Sequence, residues 1–181
     1  MRSTTIPDLD DPCCQSFTFR QLIECGETQE RTGLRNLPKQ PESYNALHDL
    51  GIEILDPVTD YFGTIQLTYG FCSPDLAKEI PGRIDPKRDQ HAAHELNRRG
   101  NLICKRLGAA VDFMVEDENM LEVAQWVVAN TPFDRLYFYG EHLPIHISFG
   151  PNHDRQIVRM VASASGRLLP RVISSENFLK I

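Results

Sequence analysis

This 181-residue chain has no apolar run long enough to span a membrane, so no membrane partner is expected. Its first fifteen residues are polar and place Asp8, Asp10 and Asp11 where a secretion signal would carry an apolar core. A cytoplasmic protein with a flexible tail over residues 1–15 is the expectation. The five cysteines, Cys13, Cys14, Cys25, Cys72 and Cys104, form no CxxC pair. Their odd number argues against a disulfide framework and for reduced thiols. Excess positive charge is missing too: 19 basic residues stand against 25 acidic ones, a net charge of −6, without the footprint of a dedicated nucleic-acid binder. A local basic cluster, Arg98, Arg99, Lys105 and Arg106, keeps a nucleic-acid contact open but does not favour it over a solvated face. Internal repeats and low-complexity tracts are absent, and nothing in the sequence sets the oligomeric state.

What is present is patterned. Thr18-Phe19-Arg20-Gln21 has the form of a capping box, predicting a short helix to about Cys25 that Gly26 stops. A loop follows over residues 33–41, containing Asn36, Pro38 and Pro41. From Glu42 to about Tyr61, Leu47, Leu50, Ile54, Leu55 and Val58 recur at helical spacing, with Pro57 kinking or restarting the helix and Gly63 ending it. Residues 64–69 alternate as a half-buried strand, and Ser73-Pro74 opens another short helix. Residues 81–106 are a long polar excursion, of the kind that is more often functional than accidental. Ala109 to Val115 reads as a buried strand, and Asp117 as the cap of a helix from Glu118 to about Asn130, with Leu121, Ala124, Val127 and Val128 inward. Three strands, 135–139, 145–149 and 156–161, follow and are expected to be antiparallel. The class is α+β in a single domain: N-terminal helices on a mainly antiparallel sheet over residues 16–162, and a C-terminal extension over 163–181.

Chemistry concentrates at three places. Asp89-Gln90-His91-Ala92-Ala93-His94-Glu95 offers two histidines at i, i+3. Asp112 is a carboxylate inside an apolar strand, where burial without a partner costs several kcal/mol at least. His146 lies between Ile145 and Ile147, so alternation turns it to the face opposite both. Histidines and a carboxylate at three separated positions are what a three-ligand zinc site with an open fourth position requires. Each residue also has a plain reading: Asp112 as a strand-edge acid bonded to backbone amides, His146 as a satisfied strand histidine, His94 bonded to Glu95 or backbone. Glu141 and His142, in the turn before His146, are close enough to act as the base that hydrolysis needs, or are solvated turn residues. Cys72 or Cys104 could serve a Cys-His nucleophile site, though no spacing argues for one.

Taken in order, these motifs resemble the zinc D-Ala-D-Ala carboxypeptidase family of the hedgehog/DD-peptidase fold, over residues 17–150. The family's opening "FT..EL..S.TA...GI.N.P" is matched by Phe17-Thr18-Phe19-Arg20-Gln21-Leu22 and Gly33-Leu34-Arg35-Asn36-Leu37-Pro38. "VLDP" is matched by Ile54-Leu55-Asp56-Pro57, and "I.ITSGYRSP" by the run from Ile65 to Pro74. The ligand motif S-x-H-x-x-G-x-A-x-D is matched by Asp89-Gln90-His91 and then Gly108 to Asp112. "PFD.L" and the last strand are matched by Thr131 to Leu136 and His146-Ile147-Ser148. The resemblance implies zinc ligands at His91, Asp112 and His146, and substrate contacts at Tyr69, Cys72 and Ser73. The chain also departs from the pattern. His91 and Gly108 lie 17 positions apart where the family has three; an ungapped alignment puts Lys105 at the histidine position, beside Cys104. Cys72 replaces the substrate-binding arginine, and Leu143 and Pro144 stand where the base is expected, leaving Glu141 and His142. His94, Cys104 and His91 therefore all stand as first-ligand candidates. Two functions are expected: a zinc-dependent hydrolase acting on a peptide or amide substrate, with Glu141 or His142 as base, or a catalytically degenerate domain of the same fold that binds a protein or nucleic-acid partner.

Overall fold

The computed structural model describes residues 4–80 and 87–181. The start of the expected insertion, 81–86, and the first three residues of the expected tail lie outside the described residues. Helices come first. The capping box forms as the sequence predicts: Thr18 caps α1 (Phe19–Ile23), its side chain accepting from the Gln21 amide while Gln21 reaches back to the Thr18 amide. A second short helix, α2 (Glu27–Thr32), follows Gly26, where the sequence predicts only a stop. The predicted 42–61 helix is three segments: α3 (Pro41–Leu50), a wide π turn (Gly51–Leu55) and α4 (Asp56–Phe62). Pro57 sits in the first turn of α4, where its missing N–H costs nothing, so the helix restarts there.

Six strands form one sheet: β1 (Ile65–Tyr69), β2 (Ala109–Val115), β3 (Arg135–Phe138), β4 (Ile145–Phe149), β5 (Gln156–Ala162) and β6 (Leu168–Ile173), in the order β1-β2-β4-β3-β5-β6. Every neighbouring pair is antiparallel except β3 and β5, which are parallel, correcting the expectation of three successive antiparallel strands. Between β2 and β3 runs α5 (Met120–Asn130), capped by Asn119, whose side chain accepts from the Leu121 amide. Asp117 is not the cap. It takes a left-handed conformation (φ +62°) in the turn before the helix, and the buried positions are Met120, Val123, Ala124, Val127 and Val128, with Leu121 only half-buried.

Strand alternation divides the sheet into two faces. Val111, Phe113 and Val115 of β2, Ile145 and Ile147 of β4, Leu136 and Phe138 of β3 and Ile157 of β5 join Leu47, Leu50, Ile54, Val58, Val123 and Val127 of the helices in one core. Asp112, His146, Ser148, Arg135 and Tyr137 alternate with them and belong to the opposite face.

Near both ends, described residues pack onto the rest of the domain. At the end of the expected tail, Cys13 and Cys14 are buried, the Gln15 and Ser16 amides donate to the Asp56 carboxylate at 3.0 and 2.9 Å, and the Cys13 carbonyl meets the His48 ring. The C-terminal extension supplies β6 and a last turn, α6 (Ser175–Phe178), whose Phe178 is fully buried and meets Phe138 edge-on, ring centroids 5.6 Å apart.

Candidate metal centre

Asp112 and His146 face one another across β2 and β4 as directly paired residues. In an antiparallel pair this sets their Cβ atoms about 4.5–5.5 Å apart on one face. Their neighbours Val111, Phe113, Ile145 and Ile147 are fully buried on the other face, so the core that fixes the strands also fixes which way these two side chains point. The third member, His91, comes from the loop between Lys87 and Leu107, which has no regular structure. Its backbone is held by its own carbonyl, which accepts from the Cys72 amide at 3.2 Å, and by its amide, which donates to Asp89 Oδ1 at 2.9 Å. Its ring is held by Nδ1, 2.7 Å from the Gly70 carbonyl. A carbonyl only accepts, so Nδ1 carries a proton and Nε2 is the atom turned to Asp112 and His146.

The three donor atoms converge. His91 Nε2 is 3.2 Å from His146 Nδ1 and 3.4 Å from Asp112 Oδ1, and His146 Nδ1 is 2.7 Å from the same oxygen. A tetrahedral zinc site with bonds of about 2.0–2.1 Å sets neighbouring donors about 3.3 Å apart. Two edges of this triangle match that spacing, and the third opens by about 0.6 Å once a hydrogen bond is exchanged for two metal bonds. The donor set therefore fits a metal: among the described residues, His91, Asp112 and His146 are the group that could hold one. The rings of Tyr69 and Tyr137 stand edge-on against His91 and His146, with centroids 4.9 and 5.3 Å apart.

Without a metal, burial and the surrounding charges act against one another on His91 and Asp112. Burial opposes charge on His91, but the Asp89 and Asp112 carboxylates more than offset it, and the pKa rises to about 9. Burial likewise disfavours the Asp112 carboxylate, yet the two histidines outweigh it and hold its carboxyl well below the usual range.

Of the first-ligand candidates, the structure joins only His91 to Asp112 and His146. His94 Nε2 accepts instead from the Gly108 amide at 3.1 Å, Cys104 is buried with its thiol toward the Lys87 carbonyl, and Lys105 is exposed. Gly108 itself has φ +79° and passes so close to Phe149 that a Cβ would lie 2.1 Å from its carbonyl oxygen. Glu141 and His142 are exposed. The Glu141 carboxylate is 3.4 Å from the Asn119 amide group at the start of α5, and among the described residues no hydrogen bond or ion pair links either residue to the triad. Tyr69 donates its hydroxyl to Cys72 Sγ at 2.8 Å, and burial pushes that thiol up to about 11 against this bond. Ser73 Oγ accepts from the Leu76 amide and so starts a short 3-10 turn (Leu76–Lys78) in place of the predicted helix. Cys72 and Ser73 line an open cleft together with Asp75, Asp89 and Glu95 and with Arg35, Lys39, Lys78, Arg98 and Lys105, while the three triad residues are not part of its lining; Arg99 is exposed and Arg106 half-buried.

No protein-family model, curated protein or solved structure matches the chain. Among the described residues no helix is long and apolar enough to cross a membrane.

Three supporting residues were not assigned this role from the sequence. Gly70 gives His91 its acceptor, and its lack of a side chain is required: a Cβ there would lie 2.1 Å from the Leu22 carbonyl oxygen. Asn36, buried, donates to the Ile23 and Phe71 carbonyls and accepts from the Ser73 amide, all at 2.7 Å, bracing the segment that presents Gly70. Glu95 reaches from the loop to the start of α3, where one carboxylate oxygen accepts from the Lys39 and Gln40 amides and the Ser43 hydroxyl. The helix has no side-chain cap of its own, so Glu95 supplies one. The only sequence cue was the acid's position within an otherwise polar insertion.

Proposed function

We propose that the chain is a zinc-dependent hydrolase of peptide or amide bonds, with His91, Asp112 and His146 holding the ion. The observation that carries this reading is the convergence of two imidazole nitrogens and one carboxylate oxygen at near-tetrahedral spacing on a face the core does not occupy. His91, Asp112 and His146 would hold the zinc, which would supply Lewis acidity toward water and an amide carbonyl. The chain's own residues divide the remaining work. The Gly70 carbonyl keeps the proton of His91 on Nδ1, the strand pairing aims Asp112 and His146, and Tyr69 and Tyr137 exclude water from their flanks. The cleft lined by Cys72 and Ser73 receives the substrate, and Glu141 or His142 takes the proton in this reading.

A second reading has its own support. Cys72 is buried and tied to Tyr69 in the place of a substrate-binding arginine, and Glu141 is engaged at the start of α5. Both favour a catalytically degenerate domain, with or without the metal, that binds a protein or nucleic-acid partner without turning it over. Metal analysis of protein purified without added zinc, followed by hydrolysis assays on D-Ala-D-Ala peptides, separates these readings. The hydrolase reading expects about one zinc per chain, lost in His91→Ala, and turnover lost in Glu141→Gln or His142→Ala. Stoichiometric zinc without turnover supports the binding domain, and a trace of metal unchanged by His91→Ala ends the ligand assignment and with it the hydrolase reading.

A further inference from the structure

A zinc site whose first ligand rides on a long loop needs something to set that loop, and the residue beside the ligand is unusually well held. The Gln90 side chain is buried, with 1 % of the residue exposed. Its Nε2 donates one hydrogen to the Leu107 carbonyl and the other to Asp134 Oδ2, both at 2.8 Å, and its Oε1 accepts from Ser148 Oγ at 2.8 Å. Both hydrogens of the amide are used. The partners matter as much as the number. Leu107 closes the far end of the loop. Ser148 lies on β4 two residues beyond His146, on the same face. Asp134 enters β3 and is itself fixed, its amide donating to the Ser148 carbonyl at 2.8 Å and its Oδ1 accepting from the Asp154 amide at 2.9 Å. Asp134 and Ser148 are buried, with 1 % and 0 % exposed.

We propose that Gln90 is the positioning residue of the metal centre: it locks both ends of the 87–107 loop to the strand that carries His146, and thereby sets His91 at donor distance from Asp112 and His146. This rests on the metal reading above. Gln90 touches neither metal nor substrate; it acts through His91. The neck of the loop explains how His91 reaches the site although the sequence separates it from Gly108 by 17 positions. Gln90 bridges to Leu107, and His94 receives the Gly108 amide, so the intervening residues leave and return at nearly one point.

The test exchanges donor and acceptor. Gln90→Glu keeps the size of the side chain, removes both hydrogens and sets a carboxylate against Asp134; Asp134→Asn in the same chain restores a donor–acceptor pair. Zinc dissociation constants are measured by competition with a chromophoric chelator well below the melting temperature, with the d–d absorption of the cobalt-loaded protein as a signature of donor geometry. Loss of a ligand-orienting partner is expected to weaken zinc about 10–100-fold in Q90E, with an altered cobalt spectrum, and Q90E/D134N is expected to regain part of that loss, since the Leu107 carbonyl still lacks its donor. A merely structural role would lower the metal-free melting temperature and leave the constant and the spectrum in place. Should Q90E fail to fold, Ser148→Ala removes one bond of the network and is expected to weaken zinc about fivefold. A constant within about threefold of wild type in Q90E, or a double variant that regains nothing, overturns the assignment while the metal reading stands. A wild-type chain that binds no zinc overturns both.

Discussion

Replacing Asp112 by asparagine removes one negative charge from the triad and almost no volume, so it isolates the electrostatic part of the site. In the metal-free protein His91 titrates near 9, against about 6.5 when the chain is unfolded. A histidine raised in this way stabilises the fold fully below its unfolded pKa, and the stabilisation is lost as pH rises through the folded value. At pH 7 the shift corresponds to roughly 2–3 kcal/mol. Asp89 remains in the variant and keeps part of it, so the expected deficit of Asp112→Asn is about 2 kcal/mol, or roughly 4–8 °C in melting temperature for a domain of this size. The deficit should shrink as pH rises and vanish near pH 10, where His91 is neutral in both proteins. Zinc reverses the balance. At 100 times its dissociation constant it should stabilise the wild type by about 2.7 kcal/mol and the variant far less. Differential scanning calorimetry in chelator and in zinc, at pH 7 and pH 10, reads all four quantities. A deficit equal at both pH values, or equal stabilisation of both proteins by zinc, would refute the reasoning.

Other predictions concern the supports of the site. Glu95→Ala strands the Lys39 and Gln40 amides and the Ser43 hydroxyl, and should cost about 2–3 kcal/mol in urea denaturation; a loss under about 0.5 would show that α3 needs no cap from the loop. Phe178→Ala opens a cavity beside Phe138 and should cost about 3–5 kcal/mol, whereas a neutral result would remove α6 from the core. Asp56 is partly buried, which raises its pKa, but the Gln15 and Ser16 amides prevail and hold it below the ordinary value. Its contribution is therefore present above about pH 4 and lost as pH falls through the folded value. The stability gap between wild type and Asp56→Asn should close on acidification, and a gap that persists in strong acid would contradict this.

Much of the sheet was legible because its signal is periodic. Ala109 to Val115 and Ile145 to Phe149 show their apolar alternation directly, and the same alternation places Asp112 and His146 away from the core. Their pairing was not legible. Register is a relation between strands, and nothing in either segment says that residue 112 lies opposite residue 146; only the ordered resemblance linked them. For the same reason the parallel partnership of β3 and β5 escaped a reading that treats successive strands as hairpins. His91 lies in a loop with no period, and its place is set by Gln90, Gly70 and Asn36 through hydrogen bonds to carbonyls and carboxylates distant in sequence. The bonds from the Gln15 and Ser16 amides to Asp56 were not legible either, because composition does not register backbone donors. Asp117 and Asn119 are both good helix caps by type. The chain uses the second because the first is spent on a left-handed turn.

Among the described residues the sheet ends at β6, which has β5 on one side and no strand on the other, and Leu168 and Val172 of this last strand are 47 % and 70 % exposed. An unpaired apolar edge is a template on which a further strand from another molecule can grow. Pro170 contributes no donor in mid-strand and Arg171 adds a charge, so such growth meets one interruption near its centre. Concentrated solutions should therefore coagulate from this border before any other part of the sheet, and a lysine in place of Val172 should keep them clear.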